Sequence, residues 1–108
     1  MKVKDLVKEL GLVVLNKGDF ERDVEGCYIG DLLSWVMSNA QTNNVWLTIM
    51  SNLNIAAVAT LTDVSCIILC ENVNADEDCL TKIKMQGINL LKTDLSTYET
   101  AVKIGNLI

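Results

Sequence analysis

The sequence predicts an α/β fold of three layers, α/β/α, in which helices cover both faces of a mostly parallel sheet. The first observation is the stretch from Val45 to Asn72, where an apolar strand, an alanine-rich helix and a second apolar strand follow one another. A unit of this kind forms a right-handed crossover between parallel strands. The second observation is that helix and strand patterns keep alternating from Gly30 onward. A chain of 108 residues also suits one domain, which we expect to span residues 1–108.

A short amphipathic helix is predicted at the N-terminus. Its apolar residues recur at helical spacing: Val3, Leu6, Val7 and Leu10. Gly11 follows where a left-handed cap would end the helix. We expect an apolar strand over 12–15, an edge strand or loop over 20–24, where the charges alternate, and a further strand over 24–29.

The next helix is predicted to start at Asp31, whose carboxylate would interact favourably with the helix dipole. Its apolar positions form one stripe: Leu32, Leu33, Val36, Met37 and Ala40. Trp35 lies to one side of that stripe. We expect its ring either to be half buried against its own chain or to lie at a subunit contact.

The central helix, expected over 53–61, lies between apolar strands over 45–50 and 66–70. It is apolar on nearly every side, and its alanines are small enough to let its backbone approach the sheet closely. Such a helix is buried on more than one face, either within the domain or against a second copy of the chain.

Two helices and a strand complete the predicted fold. Asn74 and Glu77 have the spacing of a capping box and predict the start of a helix. Its inner face would comprise Cys79, Leu80, Ile83 and Gly87. A strand is expected over 88–91, and Ser96 with Glu99 forms a second capping box. The last helix carries Tyr98, Ala101, Val102 and Gly105 at helical spacing.

The composition excludes several classes of partner. The net charge is −5 with a pI near 4.5, and the nine basic residues are scattered singly, so neither nucleic acid nor an anionic membrane surface is an expected partner. No apolar run approaches the ~18 residues that cross a bilayer, and the charged N-terminus does not resemble a signal peptide. We therefore expect a cytoplasmic protein with reduced cysteines.

Catalysis is the least expected function. The chain contains no histidine, which excludes a Ser-His-Asp or Cys-His nucleophile pair and any histidine metal site. It also lacks the Gly-rich lysine loop that binds nucleotide phosphates in P-loop enzymes. Acidic residues such as Glu71 and Asp94 are best explained as solvated loop residues.

A binding site for a small polar ligand is predicted where the parallel strands end, because ligands of open α/β sheets bind beyond the carboxyl ends of the strands. The candidate residues are Asn52, Asn54, Glu71, Asn72 and Thr93. The alternative interpretation is that these side chains only cap helices and shape loops.

The four cysteines leave a second hypothesis open. Cys66 and Cys70 would lie on one face of a strand about 13 Å apart, too far for two ligands of one metal, so core packing explains them better. No Cys-x-x-Cys pair exists, and we expect no resident cofactor. The alternative is an iron–sulfur or redox site that uses Cys27, Cys70 and Cys79.

Three stretches resemble the DRTGG domain, a module of phosphotransacetylase-type proteins and of some pyrophosphatases with paired CBS domains. They are GCYIGDLLSWVM, VWLTIMSNLNIAAVATL and CIILCENVNADEDCLTKIKMQGINLLKTDLSTYETAVKI. The Asp-Arg-Thr-Gly-Gly signature is not preserved: residues 51–54 and 70–72 occupy the corresponding positions.

The resemblance implies a non-catalytic regulatory or dimerising domain, related in fold to the N-terminal part of HPr kinase/phosphorylase. With the apolar central helix and Trp35, it predicts a homodimer that binds a small polar ligand, such as a nucleotide, or a partner protein. The chain also resembles small stand-alone proteins described as hydrogenase-associated iron–sulfur accessories, which is the alternative function.

Overall fold

The structure, a computed structural model, describes all 108 residues of the chain. The elements in chain order are α1 (Val3–Leu10), β1 (Val13–Asn16), β2 (Gly26–Ile29), α2 (Leu33–Asn39), β3 (Asn44–Thr48), α3 (Asn54–Thr62), β4 (Cys66–Leu69), α4 (Glu77–Gln86), β5 (Leu90–Lys92) and α5 (Thr97–Gly105). Residues 20–24, expected to be an edge strand or a loop, form a loop with a turn. Their one β-bridge is an isolated one between Lys2 and Asp23.

All five strands belong to one sheet in the order β1-β5-β4-β3-β2. Strands β2 to β5 run parallel to one another, and β1 is an antiparallel edge strand beside β5. The strands that were predicted to be parallel are therefore parallel. Their carboxyl ends meet along one side of the sheet, which we call the carboxyl edge.

The sheet separates two buried cores. Helices α2, α3 and α4 pack on one face around Trp46, Ile67 and Leu69. Helices α1 and α5 cover the other face, around Leu47 and Ile68. This arrangement confirms the three-layer α/β fold with a mostly parallel sheet.

Helix α1 ends as predicted, with Gly11 at φ 61°. Helix α3 is buried mostly within its own chain, between α2 and α4, although Leu61 projects with 71% of its surface exposed. Of the two alternatives for this helix, the structure shows burial within the domain.

The prediction for α2 was wrong in two respects. Asp31 precedes the N-cap residue Leu32, and its carboxylate accepts hydrogen bonds from the end of β3 instead of capping the helix. Only Val36 of the apolar stripe is fully buried, whereas Leu32 and Met37 are exposed. Trp35 is 64% exposed and is therefore not half buried against its own chain.

The two C-terminal helices differ in how well their starts were predicted. The Asn74–Glu77 capping box does not form, because the Asn74 amide oxygen accepts from the Lys92 ammonium and α4 begins after Asp76. The Ser96–Glu99 capping box of α5 is present. The helix predicted from the spacing of Tyr98, Ala101, Val102 and Gly105 is present as α5. Tyr98 and Val102 are exposed, and the buried residues of α5 are Thr100 and Ile104.

None of the five helices combines the length and the apolar character that crossing a bilayer would require.

Candidate functional site

A tight turn follows β4 at the carboxyl edge. Glu71 and Asn72 both adopt left-handed conformations, with φ of 61° and 60°, and the Val73 N–H donates to the Cys70 carbonyl at 3.2 Å. This is the geometry of a type I′ turn, in which asparagine is common, whereas a glutamate such as Glu71 adopts it when its surroundings hold it there. The Glu71 N–H donates to the Leu95 carbonyl and the Asn72 N–H to the Thr93 carbonyl, each at 2.9 Å. The turn is thereby fastened to the loop after β5.

Beside this turn lies a cleft of about 470 Å³. It opens where α1 ends, β1 begins and β5 ends, and α5 forms its remaining wall. The lining residues are Leu10, Gly11, Val13, Asn72, Lys92, Thr93, Asp94, Leu95 and Lys103. Its position at the carboxyl ends of parallel strands is the usual position of ligand sites in open α/β sheets.

Two of the five predicted site residues line the cleft. Thr93 is 7% exposed; its N–H donates to the Leu69 carbonyl and its hydroxyl accepts from the Leu95 N–H, so its main part is to hold the loop in shape. The side chain of Asn72 is exposed and has no hydrogen-bond partner within the protein. Its amide is therefore free to meet a ligand.

The other three predicted residues lie outside the cleft. The Asn52 amide oxygen accepts from the Asn54 N–H at 2.9 Å, which forms a turn at the start of α3. Asn54 is the exposed first residue of that helix. Glu71 contributes its backbone to the tight turn, and its side chain is exposed. The structure thus separates the predicted set into two places on the carboxyl edge.

A second polar constellation at this edge has a structural explanation. One Asp31 carboxylate oxygen accepts from the Thr48 hydroxyl at 2.8 Å and from the Ile49 N–H at 3.0 Å. The Gly30 carbonyl accepts from the Trp46 indole N–H at 2.9 Å. These bonds fasten the β2–α2 loop to β3, and they account for the position of Asp31.

The cysteines are not gathered into one site. Cys66 and Cys70 belong to the core under α1 and α5, Cys79 lies in the core on the opposite face of the sheet, and Cys27 is exposed on the edge strand β2. No three His, Cys, Asp or Glu side chains are placed to hold a metal ion. The set Cys27, Cys70 and Cys79 therefore does not converge.

All four thiols hold their protons more strongly than a free cysteine does. Burial raises the pKa of Cys66 to about 12, and desolvation raises the pKa values of Cys27 and Cys79 to about 11. The pKa of Cys70 is raised by the same cause. The thiolate is the form that binds metals and attacks disulfides, so the raised pKa values disfavour both reactions. Cys66, Cys70 and Cys79 are core residues, whereas Cys27 lies at the surface.

Comparison with protein families gives a match to the DRTGG domain over residues 5–107, nearly the whole chain. The chain belongs to the DRTGG domain family. The resemblance predicted from three stretches of sequence is confirmed. No match is found among curated proteins.

The fold of this DRTGG domain is also found in a solved structure. It is similar to the CBS and DRTGG domains of the regulatory region of a Clostridium perfringens pyrophosphatase, complexed with its activator, diadenosine tetraphosphate. The TM-score is 0.71 at 10% sequence identity, and the match covers 94% of this chain but only 45% of the other. At that identity the likeness concerns the fold alone.

Sequence reasoning missed most of the cleft of this DRTGG domain. For Lys103, the sequence indicates only a solvated position in the last turn of α5. It places Leu10 and Gly11 at the end of α1 and Val13 at the start of β1. No local pattern connects these residues with β5. Only the expectation that β5 ends at the carboxyl edge pointed to this place.

Proposed function

We propose that this DRTGG domain is a non-catalytic regulatory module that binds a small polar ligand in the cleft beside the tight turn. The observation that carries the proposal is the cleft itself. Its volume of about 470 Å³ lies within the range of roughly 300–1,000 Å³ typical of small-molecule sites. The regulatory setting of the structurally similar pyrophosphatase region, which carries a nucleotide activator, supports the same role.

The cleft is well placed for regulation because its walls come from separate parts of the chain. Leu10 and Gly11 belong to the end of α1, Lys103 to α5, and Asn72 to the tight turn after β4. A ligand that contacts all three walls would stabilise their relative positions. A ligand that binds one arrangement of these walls more tightly than another shifts the protein towards that arrangement. A regulatory domain can pass such a shift on to a partner.

The test is a titration of isotope-labelled protein, followed by amide NMR, with AMP, ATP, diadenosine tetraphosphate and a panel of uncharged nucleosides. Asn72→Asp replaces the free amide by a carboxylate of the same size. We expect this change to weaken ligand binding about tenfold, because it removes one hydrogen-bond donor and adds a negative charge. Asn54→Asp is the matched control, since it makes the same change at the start of α3.

The two variants distinguish the two places on the carboxyl edge. Weaker binding in Asn72→Asp with unchanged binding in Asn54→Asp would locate the ligand in the cleft. The reverse result would move the site to the start of α3, and a panel without any binding would refute ligand sensing by this domain.

Dimerisation is a second candidate function, favoured by exposed apolar side chains around β2 and α2. Ile29, Leu32, Trp35 and Met37 have exposed fractions of 52%, 61%, 64% and 52%. β2 is an edge strand with one unpaired side. Exposed apolar groups and an open strand edge favour association with another chain. We infer that a second copy covers this surface, which we call the β2–α2 surface.

Sedimentation at tens of micromolar protein tests the dimer. Wild type should sediment as a dimer of the 11.9 kDa chain, and Trp35→Lys should shift it to monomer by placing a charge in the contact. Leu61→Lys is the control, because Leu61 is also an exposed apolar residue and lies on α3, outside the β2–α2 surface. A wild type that sediments as a monomer contradicts the proposal.

The remaining expectations belong to the same proposal. A partner protein is the alternative occupant of the β2–α2 surface. The four cysteines are free, which is compatible with a cytoplasmic location. The alternative of a hydrogenase-associated iron–sulfur accessory draws no support from the thiols, which are distributed over both faces of the sheet.

A further inference from the structure

The cleft has a different charge balance from the rest of the chain. The whole chain has a net charge of −5, whereas the cleft is lined by Lys92 and Lys103 against the single carboxylate of Asp94. Ion pairs are found elsewhere, at Lys2–Asp23, Lys4–Glu21 and Arg22–Asp63. The Lys92 ammonium donates to Asn74. Lys103 is in no ion pair or hydrogen bond, so its charge is available to a ligand.

Several backbone carbonyls around the cleft already accept hydrogen bonds. At the end of α1, the carbonyls of Lys8 and Val7 accept from the N–H groups of Gly11 and Leu12. On the opposite wall, the carbonyls of Thr93 and Leu95 accept from the N–H groups of the tight turn.

Three hydrogen-bond donors at the cleft are free. The Asp94 N–H donates no backbone hydrogen bond, the Asn72 amide has no partner, and the Lys103 ammonium is unpaired. A wall that offers an unpaired backbone N–H group, a free side-chain amide and an unpaired ammonium is complementary to an oxyanion. The Asp94 carboxylate is the one charged acceptor of the lining and suits a hydroxyl group on the same ligand.

We propose that the cleft binds a small phosphorylated molecule, with its phosphate against Lys103 and the Asp94 N–H and with a hydroxyl on the Asp94 carboxylate. This inference rests on the proposed function and names the chemical class of the ligand. The cleft volume of about 470 Å³ leaves room for an organic part beside the phosphate. Free phosphate and the phosphate of a mononucleotide share this chemistry.

The experiment compares three probes on the full chain: AMP, adenosine and inorganic phosphate, each followed by amide NMR and calorimetry. We expect AMP to bind at least tenfold more tightly than adenosine and to shift the Asp94 and Asn72 amide signals. Lys103→Met should weaken AMP binding about tenfold. Lys84→Met removes the same charge from the last turn of α4, outside the cleft, and should leave the affinity unchanged.

The outcomes separate this inference from the proposed function. Phosphate that binds as tightly as AMP would identify free phosphate as the ligand group and still support the inference. Adenosine that binds as tightly as AMP, with no effect of Lys103→Met, would overturn the inference and leave ligand sensing in place. Equal losses in Lys103→Met and Lys84→Met would show a general charge effect and also overturn it.

Discussion

At the scale of single residues, Asn89 connects the most distant parts of the sequence. Its side-chain oxygen accepts from the Gly18 N–H at 2.7 Å, and its side-chain amide donates to the carbonyls of Asp19 and Ser65 at 2.8 and 3.0 Å. Asn89 is 2% exposed, and the Gly18 N–H and the Ser65 carbonyl have no other backbone partner, so these two groups depend on it for their hydrogen bonds. One buried amide thus fastens the turn after β1 to the starts of β4 and β5.

We predict that Asn89→Ala lowers the free energy of unfolding by about 2 to 4 kcal/mol, because it leaves buried donors and acceptors without partners. Urea denaturation followed by circular dichroism measures the change. Asn54→Ala is the matched control and should change the stability by less than about 0.5 kcal/mol, since Asn54 is exposed. Similar stabilities of the two variants would show that water takes over the hydrogen bonds of the Asn89 side chain.

Residues of this kind are hidden from sequence reasoning. Asn89 follows Ile88 at the start of a predicted strand and looks like any polar residue there, because its partners lie some 24 and 70 positions away. The same limit applies to Lys103, which local spacing assigns only to a helix surface. Asn72 was identified because its place after a strand is itself a local property.

At the scale of elements, the turn after β1 packs tightly against the end of α4. A Cβ atom on Gly18 would fall on the carbonyl oxygen of Gly87, and it would also lie 3.1 Å from the Asn89 side-chain oxygen. Both neighbours are held in place, since Gly87 caps α4 and Asn89 is buried. The turn therefore requires glycine at this position for lack of space.

We predict that Gly18→Ala destabilises the domain by about 3 kcal/mol, since overpacking against fixed backbone forces the turn away from the sheet. Gly105→Ala is the control within the same chain. Gly105 ends α5, and a Cβ atom added there would have no neighbour within 4 Å, so alanine should be neutral or stabilise by up to about 1 kcal/mol. Thermal unfolding of both variants measures the two changes in stability. A Gly18→Ala protein as stable as wild type would contradict the requirement for glycine at this position.

The sequence predicts which helices and strands form, and in which order, more readily than it predicts what packs against them. Periodicity and caps identified α1, α3 and α5, because Gly11 and the Ser96–Glu99 pair act within their own helices. The start of α4 was misplaced because Asn74 is engaged by Lys92 from another element. Exposed apolar residues on α2 and α5 resemble core residues in sequence, since burial is decided by what packs against them.

At the scale of the whole molecule, one sheet with a core on each face explains both the fold and the character of its cysteines. Strand β4 is buried on both faces, with Cys66 and Ile68 towards α1 and α5 and Ile67 and Leu69 towards the other helices. A strand in this position must be apolar throughout, as parallel central strands are. Cys66 is therefore a core residue, and the folded state favours its protonated thiol.

The raised thiol pKa values predict that stability falls in alkaline solution. The pKa of Cys66 is raised by burial from 9.0 to about 12, so the folded state keeps a proton that the unfolded state loses. The contribution of this thiol is fully present below pH 9 and is lost as the pH rises towards 12. At pH 10 the loss from Cys66 alone is about 1 kcal/mol.

The measurement is the free energy of unfolding in urea at pH 8 and pH 10, for wild type and for Cys66→Ala under reducing conditions. Cys66→Ala is less stable at both pH values, because it leaves a cavity in the core. Its further loss between pH 8 and pH 10 should nevertheless be about 1 kcal/mol smaller than that of wild type, because the titrating thiol is gone. All other ionisable groups are the same in both proteins and cancel in the comparison. Equal pH dependence in the two would mean that the thiolate of Cys66 is tolerated in the core, and that water reaches the centre of the sheet.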